Sequence, residues 1–226
     1  MVAATLAQNV LHNGWMSHMG PSVNLLGDTL VFDANQHYYE LPPSPGPRIV
    51  VDYGPGICER FILDEHIRAC AAGRPFFYIP VTRGPFSNRF ALSYLMQVHG
   101  DDVVKAYMAQ GTFLGQEDGM LAATTRLLTS PVCGRVDLIL CSGLQMAVRE
   151  ELEAGIVNAF PLLRRGGALL IRSQKQRDPP ESSTVDDMLE MAYRAEFSAP
   201  RLFHSVAGDL LIGKRTEVVS AILIKP

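Results

Sequence analysis

The chain has 226 residues, of which 47% are hydrophobic and 19% are charged, and its formal net charge is −3. This composition is typical of one globular domain with additions and excludes a disordered chain. Because no basic excess is present to neutralise phosphates, we do not expect nucleic-acid binding.

The cysteines and the apolar runs indicate a cytoplasmic protein. No cysteine belongs to a Cys-x-x-Cys pair or has zinc-like spacing with histidine, so we expect reduced thiols and no metal site. The four cysteines are Cys58, Cys70, Cys133 and Cys141. No basic segment opens the sequence, and no apolar run approaches the roughly 20 residues that cross a bilayer. We therefore predict neither a signal peptide nor contact with a membrane.

The first 48 residues differ in pattern from the rest. Helical spacing appears at residues 2–11, and the proline tract at 42–47 is typical of a stiff connector. We expect residues 1–48 to form a helical cap or lid, because ligand sites lie open above the ends of parallel strands. The alternative is that this segment packs on a sheet edge and covers nothing.

From residue 49 onward, strand-like and helix-like segments alternate. The predicted strands are 49–53, 76–81, 103–109, 136–141, 168–172, 201–206 and 218–224. The predicted helices are 57–72, 87–98, 119–128, 145–163 and 184–197. Continuous apolar strands are typical of a parallel sheet covered on both faces, so the fold class is α/β, a three-layer sandwich with right-handed crossovers.

The most informative local pattern is Asp-x-Gly-x-Gly at residues 52–56, directly after the first of these strands. Glycines let the backbone come close to a ligand, and the amides that begin the next helix favour anionic or polar groups. A strand, turn and helix of this kind is where an open α/β sheet binds nucleotide-like molecules.

Three segments resemble the class I S-adenosylmethionine-dependent methyltransferases. Residues 50–56 are similar to that family's first motif, and residues 136–143 to its fourth strand. Residues 160–171 are similar to its helix, turn and fifth strand, with Gly166 and Gly167 suited to a helix stop. The resemblance implies a Rossmann-like domain over residues 49–226, with a seven-stranded, mainly parallel sheet whose last strand runs antiparallel.

The resemblance also implies cofactor contacts at the ends of the parallel strands. Gly54 and Gly56 would line the S-adenosylmethionine pocket, and Asp52 would order the loop or meet the methionine ammonium group. The other implied contacts come from residues at or after strand ends: Tyr53, Thr82, Thr112, Phe113, Ser142, Gly143 and Gln145. Each contact has an alternative. Asp52 could be a loop-capping carboxylate, and Gly54 and Gly56 could form a tight turn without ligand. Phe113 could be a core aromatic, and Ser142 a helix N-cap.

Two departures from the family's pattern concern the ribose and the adenine. The family usually has an acid at the end of the second strand, where this chain has Thr82, and often Gly-Asp after the third, where it has Gly111-Thr112. A neutral hydrogen bond is worth about 1 kcal/mol, against roughly 1.5–3 kcal/mol for a bond to a charged group. Cofactor binding is then weaker, or other groups compensate, or the ligand differs.

The catalytic candidates precede the connector, at His37, Tyr38 and Tyr39. Methyl transfer needs mainly alignment, and a base only where the acceptor must lose a proton. The histidine could take that proton, and a tyrosine ring could close over the sulfonium. The alternative is that these side chains pack the cap on the sheet.

The sequence thus predicts S-adenosylmethionine-dependent methyl transfer to a small-molecule acceptor, a metabolite or natural product. Two alternatives stay open. One is an enzyme that attacks the aminocarboxypropyl arm, by transfer or cyclisation, and releases methylthioadenosine. The other is a noncatalytic methyltransferase-like binding protein. The expected partner is a small-molecule substrate, and a homodimer is left open.

Overall fold

The computed structural model describes residues 23–32, 37–54, 59–74, 76–81, 93, 95–109, 119–142, 149–175, 183–208 and 215–226. The strands with defined bounds there are β1 (Val23–Leu26), β2 (Thr29–Phe32), β3 (His37–Glu40), β4 (Ile49–Tyr53), β5 (Phe77–Val81), β6 (Val136–Ser142), β7 (Leu163–Gln174), β8 (Arg201–Gly208) and β9 (Arg215–Ile224). The helices are α1 (Glu59–Ala71), α2 (Asp101–Ala109), α3 (Met120–Leu128), α4 (Arg149–Val157), α5 (Ala159–Leu162) and α6 (Val185–Tyr193).

The main sheet has the strand order β5-β4-β6-β7-β9-β8. Strands β5, β4, β6 and β7 run parallel, whereas β9 is antiparallel to both of its neighbours. The first six residues of β6 are all buried, as expected for a parallel strand covered on both faces. The predicted α/β class and the antiparallel last strand are confirmed, and the described residues supply six of the seven predicted strands.

Each face of the main sheet has its own hydrophobic core. The face that we call the α6 face packs against α3, α4, α5 and α6. The opposite face, the α1 face, packs against α1, α2 and a separate antiparallel sheet of order β1-β2-β3. Successive side chains of a strand point to opposite faces, so Val50 lies in the α1-face core and Val51 in the α6-face core.

Residues 23–32 and 37–40 form this three-stranded sheet, so the predicted helical cap is wrong for these residues. Gly27, with φ of +62°, lies in the turn between β1 and β2. Alternate side chains pack on the α1 face, a period of two that only a strand presents. These side chains are Val23, Leu25, Leu30 and Phe32. The helix predicted at residues 2–11 lies outside the described residues.

The predicted strand 103–109 is also wrong, because these residues belong to helix α2. Asp101 and Asp102 occupy its first turn, where negative charges interact favourably with the positive end of the helix dipole. Val104 is buried in the α1-face core. The residues around it are exposed: Val103, Lys105 and Ala106. Only one of these four residues is buried, which fits a helix. In a strand, where side chains alternate between faces, Ala106 would share the buried face with Val104.

Strand β7 begins earlier than predicted. Val136 of β6 pairs with Leu163, but Leu138 pairs with Ala168, so β7 advances five residues where β6 advances two. The extra residues form a bulge in β7. The helix predicted over 145–163 therefore ends at Leu162, as α4 followed by α5, within the described residues 149–162.

Gly166 and Gly167 lie inside this bulge and do not stop a helix. Gly166 has a φ of +74°, a conformation that favours glycine. A Cβ on Gly167 would lie 2.9 Å from the backbone oxygens of Val136 and Arg164. The glycine pair therefore allows β6 and β7 to approach each other closely.

The other predicted elements are confirmed to within a few residues at each end wherever the structure describes them. In the predicted helix 87–98, positions 93 and 95–98 are helical and the rest lies outside the described residues. None of the helices in the described part of the chain combines the length and the apolar content needed to span a bilayer.

Candidate functional site

The carboxyl ends of β5, β4 and β6 meet at one edge of the main sheet. Tyr53 of β4 is level with Val81 of β5 and with Cys141 of β6. In chain order, β5 is added to the sheet on one side of β4 and β6 on the other, so the direction of sheet growth reverses at β4. Open α/β sheets bind ligands in the crevice beyond such a point. The candidate site is the crevice beyond these three strand ends.

Gly54 begins the turn that follows β4. Its φ is +63°, and its amide donates to the carbonyl oxygen of Val81 at 2.8 Å, which ties the turn to the end of β5. A residue with a side chain would be strained in this conformation. Gly54 therefore presents bare backbone at the crevice, and Gly56 lies outside the described residues.

Asp52 is buried near the carboxyl end of β4, with 3% of its surface exposed. The hydroxyl of Tyr78 on β5 donates to its Oδ2 at 2.8 Å. Burial raises the pKa of Asp52 from 3.8 to about 7, because desolvation disfavours the charged carboxylate, and the bond from Tyr78 opposes part of this rise. The carboxyl group can therefore exchange a proton near neutral pH, and a bound cation would favour its ionised form.

The side chain of Tyr53 lies in the α6-face core, away from the Asp52 carboxyl. Its hydroxyl is 2.8 Å from Oγ1 of Thr124 on α3, and both groups are buried. Burial raises the pKa of Tyr53, so the phenol stays neutral. The structure therefore leaves only the backbone of Tyr53 to meet a ligand.

Ser142 ends β6 and is half-buried beside the crevice. The neighbouring Cys141 is fully buried, and burial together with the nearby Asp52 raises the pKa of its thiol. The structure thus brings together Asp52, Gly54 and Ser142 of the predicted contacts. The remaining predicted contacts lie outside the described residues: Gly56, Thr82, Thr112, Phe113, Gly143 and Gln145.

Two buried polar residues near this edge were missed from sequence. Tyr78 was interpreted only as part of a strand, and its hydroxyl meets Asp52 because β4 and β5 are neighbours. Arg172, 2% exposed, is level with Ser142 near the end of β7. Arginine is rarely buried, so no sequence signal marks it.

The structure places His37 over the opposite edge of the main sheet. Its Nε2 is 3.1 Å from the carbonyl oxygen of His204 on β8. A carbonyl oxygen only accepts, so Nε2 carries the proton and donates it. Strand β8 is four positions from β4, which corresponds to about 19 Å at the usual strand spacing. The structure thus does not bring His37 together with Asp52 and Gly54.

Tyr38 and Tyr39 share strand β3 with His37. Tyr38 is 58% exposed, and Tyr39 packs against the α1-face core, with the Arg201 guanidinium carbon 5.9 Å from its ring. These contacts are packing and surface contacts of the three-stranded sheet. A catalytic role for the three residues stays a prediction.

In the described part of the chain, no three His, Cys, Asp or Glu side chains gather closely enough to hold a metal ion. Among the described residues, the polar side chains near the crevice are those of Asp52, Tyr78, Ser142 and Arg172. The buried carboxyl of Asp52 suits an organic ligand with a cationic end.

No protein-family model matches the chain, and no curated protein matches it in sequence. Solved structures do match it in fold. An S-adenosylmethionine-dependent methyltransferase from Methanosarcina mazei is 11% identical with a TM-score of 0.53, and the match covers 79% of this chain and 92% of that one. A second, from Archaeoglobus fulgidus, is 13% identical with a TM-score of 0.52, covering 80% and 87%. The chain has the class I methyltransferase fold.

A phosphoethanolamine N-methyltransferase from Haemonchus contortus has the same fold. It was solved with phosphomonomethylethanolamine and S-adenosylhomocysteine, is 11% identical and has a TM-score of 0.50. The match covers 82% of this chain and 50% of that one, so this chain matches half the length of that enzyme. At these identities the similarity defines the fold alone.

Proposed function

We propose that the protein transfers a methyl group from S-adenosylmethionine to a small-molecule acceptor. The observation that carries the proposal is the pair Asp52 and Gly54 at the carboxyl end of β4, the strand around which the sheet order reverses. A buried carboxyl suits the ammonium group of the cofactor's methionine end, and a turn without a side chain lets the backbone approach it closely. The described residues fit this end of the cofactor.

The bound cofactor supplies a methyl group on a positively charged sulfur. The chain's own task is then binding and alignment, which together can account for most of the acceleration of a two-reactant step. Asp52 would hold the ammonium group, and the backbone at Gly54 would flank the ligand. The contacts proposed for Gly56, Thr82, Thr112, Phe113, Gly143 and Gln145 would complete the ribose and adenine ends, together with Ser142.

A small acceptor fits the charge of the chain. The net charge of −3 offers no electrostatic attraction for a polyanion. Neighbours of the same fold support this choice, since the Haemonchus enzyme was solved with phosphomonomethylethanolamine. An acceptor atom with a free lone pair needs no base, which accords with the distance of His37 from the crevice.

Binding is tested first, by calorimetry with S-adenosylmethionine and S-adenosylhomocysteine. We expect both to bind the wild-type protein and neither to bind Gly54→Val, whose side chain cannot adopt the left-handed turn. The matched control is Gly46→Val, where a Cβ would meet nothing within 4 Å. Absence of binding and of a thermal shift at millimolar ligand would overturn the proposal and favour a noncatalytic protein.

The chemistry is tested by product analysis. The protein is incubated with cofactor labelled in its methyl group and with a pool of small metabolites, and the products are identified by mass spectrometry. We expect S-adenosylhomocysteine and a labelled acceptor. Methylthioadenosine as the product would replace methyl transfer with attack on the aminocarboxypropyl arm.

A further inference from the structure

Two buried tyrosines on the neighbouring strands β4 and β5 lie on opposite faces of the sheet. Tyr78 of β5 is fully buried in the α1-face core and donates to Asp52. Tyr53 is fully buried in the α6-face core and meets Thr124. Both contacts measure 2.8 Å. The two tyrosines thus differ in their partner, since only that of Tyr78 is a carboxyl group beside the crevice.

A phenylalanine would fill the core at position 78 equally well. Packing alone therefore does not explain why this residue carries a hydroxyl group. Burying a hydroxyl is unfavourable unless it forms a hydrogen bond. Here the bond goes to one of the two oxygens of Asp52, Oδ2. A bond to one oxygen restricts rotation of the carboxyl group, so the position of the other oxygen is also determined.

We propose that Tyr78 is a positioning residue of the cofactor site, whose hydroxyl orients the Asp52 carboxyl for the ammonium group of bound S-adenosylmethionine. The inference rests on the function proposed above. Tyr78 acts through Asp52 and is not itself a ligand contact.

The electrostatic surroundings of Asp52 support this role. Burial brings its pKa to about 7, and a hydrogen bond to the charged form favours ionisation. Cys141 of β6 has a raised pKa and stays neutral beside it. Arg172 of β7 lies on the α1 face two strands away, and His66 of α1 contacts Phe76, which directly precedes β5 at its amino end. Tyr78 is therefore the neighbouring donor through which the described residues favour the ionised carboxyl.

The test measures the dissociation constant of S-adenosylhomocysteine by calorimetry between pH 6 and 8.5. This ligand keeps the ammonium group and lacks the sulfonium charge. For the wild-type protein we expect affinity to rise as the pH passes about 7, the pKa of Asp52. For Tyr78→Phe we expect the midpoint to move up by about one pH unit and the affinity at pH 7.5 to fall about threefold.

Thr124→Val is the matched control. It removes the hydroxyl that Tyr53 contacts. That buried hydrogen bond has the same length as the bond between Tyr78 and Asp52 but lies on the opposite face of the sheet. We expect this variant to lose thermal stability to a similar extent and to keep the wild-type pH midpoint. A purely structural role for Tyr78 would make the two variants behave alike.

A wild-type protein that binds neither ligand would overturn the proposed function itself. A wild-type protein that binds with the same affinity at every pH, or a Tyr78→Phe variant with the wild-type midpoint, would overturn only the role of Tyr78. If Tyr78→Phe does not fold, 3-fluorotyrosine at position 78 replaces it. Its more acidic hydroxyl is a stronger donor, so we expect the midpoint to move down, and an unmoved midpoint would contradict the inference.

Discussion

At the scale of single residues, Asp52 combines the fold and the proposed chemistry. Its place before a glycine turn follows from the sequence, but its burial follows from the strands on both sides of β4. Desolvation brings its pKa to about 7, so one group responds to both pH and ligand charge.

We expect Asp52→Asn to change how stability depends on pH. Because folding raises the pKa of Asp52 from 3.8 to about 7, its stabilising contribution is complete below pH 3.8 and is lost as the pH rises through about 7. Each unit of pKa shift corresponds to about 1.4 kcal/mol. The measurement is urea unfolding of wild type and variant from pH 4 to 8.

In that experiment the wild-type protein should lose stability relative to Asp52→Asn as the pH rises. Burial lowers the pKa of His66 to about 4, so its contribution is lost in the opposite direction, as the pH falls from 6.5. His66 is present in both proteins, and its contribution cancels in the difference. A difference that stays constant with pH would contradict the assigned titration of Asp52.

At the scale of elements, the bulge in β7 shows how glycine determines strand geometry. Residue patterns alone place Gly166 and Gly167 equally well after a helix or inside a strand. The register of β7 against β6 decides between them, because the chain must pass close to the carbonyl oxygen of Val136.

We expect Gly167→Ala to destabilise the protein by about 1–3 kcal/mol, the usual range for overpacking. The new Cβ would lie 2.9 Å from two backbone oxygens, which cannot move without disturbing the pairing of β6 and β7. Urea unfolding measures the effect. Gly46→Ala is the control, since its Cβ meets nothing within 4 Å, and the two variants should differ clearly in midpoint. Equal midpoints would contradict the close approach.

The strand β3 illustrates an element whose role depends on its neighbours. His37 donates to a backbone oxygen of β8, the strand at the edge of the main sheet. The contact gives His37 a structural role in joining β3 to β8, and its catalytic role stays a prediction.

At the scale of the whole molecule, charged residues at the amino end of the sheet join its layers. Arg48, buried just before β4, donates from Nε to Oδ1 of Asp28 in the turn between β1 and β2, at 2.8 Å. Asp137 of β6 accepts from Arg164 at 2.7 Å and from the amide of Ile49 at 2.8 Å. The first contact attaches the three-stranded sheet to β4, and the other two join β4, β6 and β7, at the end opposite to the crevice.

We expect Asp137→Asn to lower the free energy of unfolding by about 2–3 kcal/mol, because it leaves Arg164 without its buried charged partner. Chemical denaturation measures this loss. Glu190→Gln makes the same change in the exposed pair with Arg194, where solvent screening should leave stability almost unaltered. Similar losses of stability in the two variants would contradict a larger contribution from the buried Asp137–Arg164 pair than from the exposed pair.

The fold could be predicted from sequence where the signal is local. The continuous apolar runs of β4 and β6 were interpreted correctly as buried strands of a parallel sheet. The errors fall where one short pattern fits two structures. The valine pair at 103–104 suits a strand or a helix, and its placement in α2 depends on packing against the α1-face core.

The sequence by itself determined the α/β class, the turn at Gly54 and the acid before it, because apolar continuity and glycine conformation are properties of neighbouring residues. Only the tertiary structure decided that Tyr78, 26 positions from Asp52, donates to that acid, and that His37 meets His204, 167 positions away, at the opposite edge. Those contacts depend on which strands become neighbours, and strand order is decided by the packing of the whole sheet.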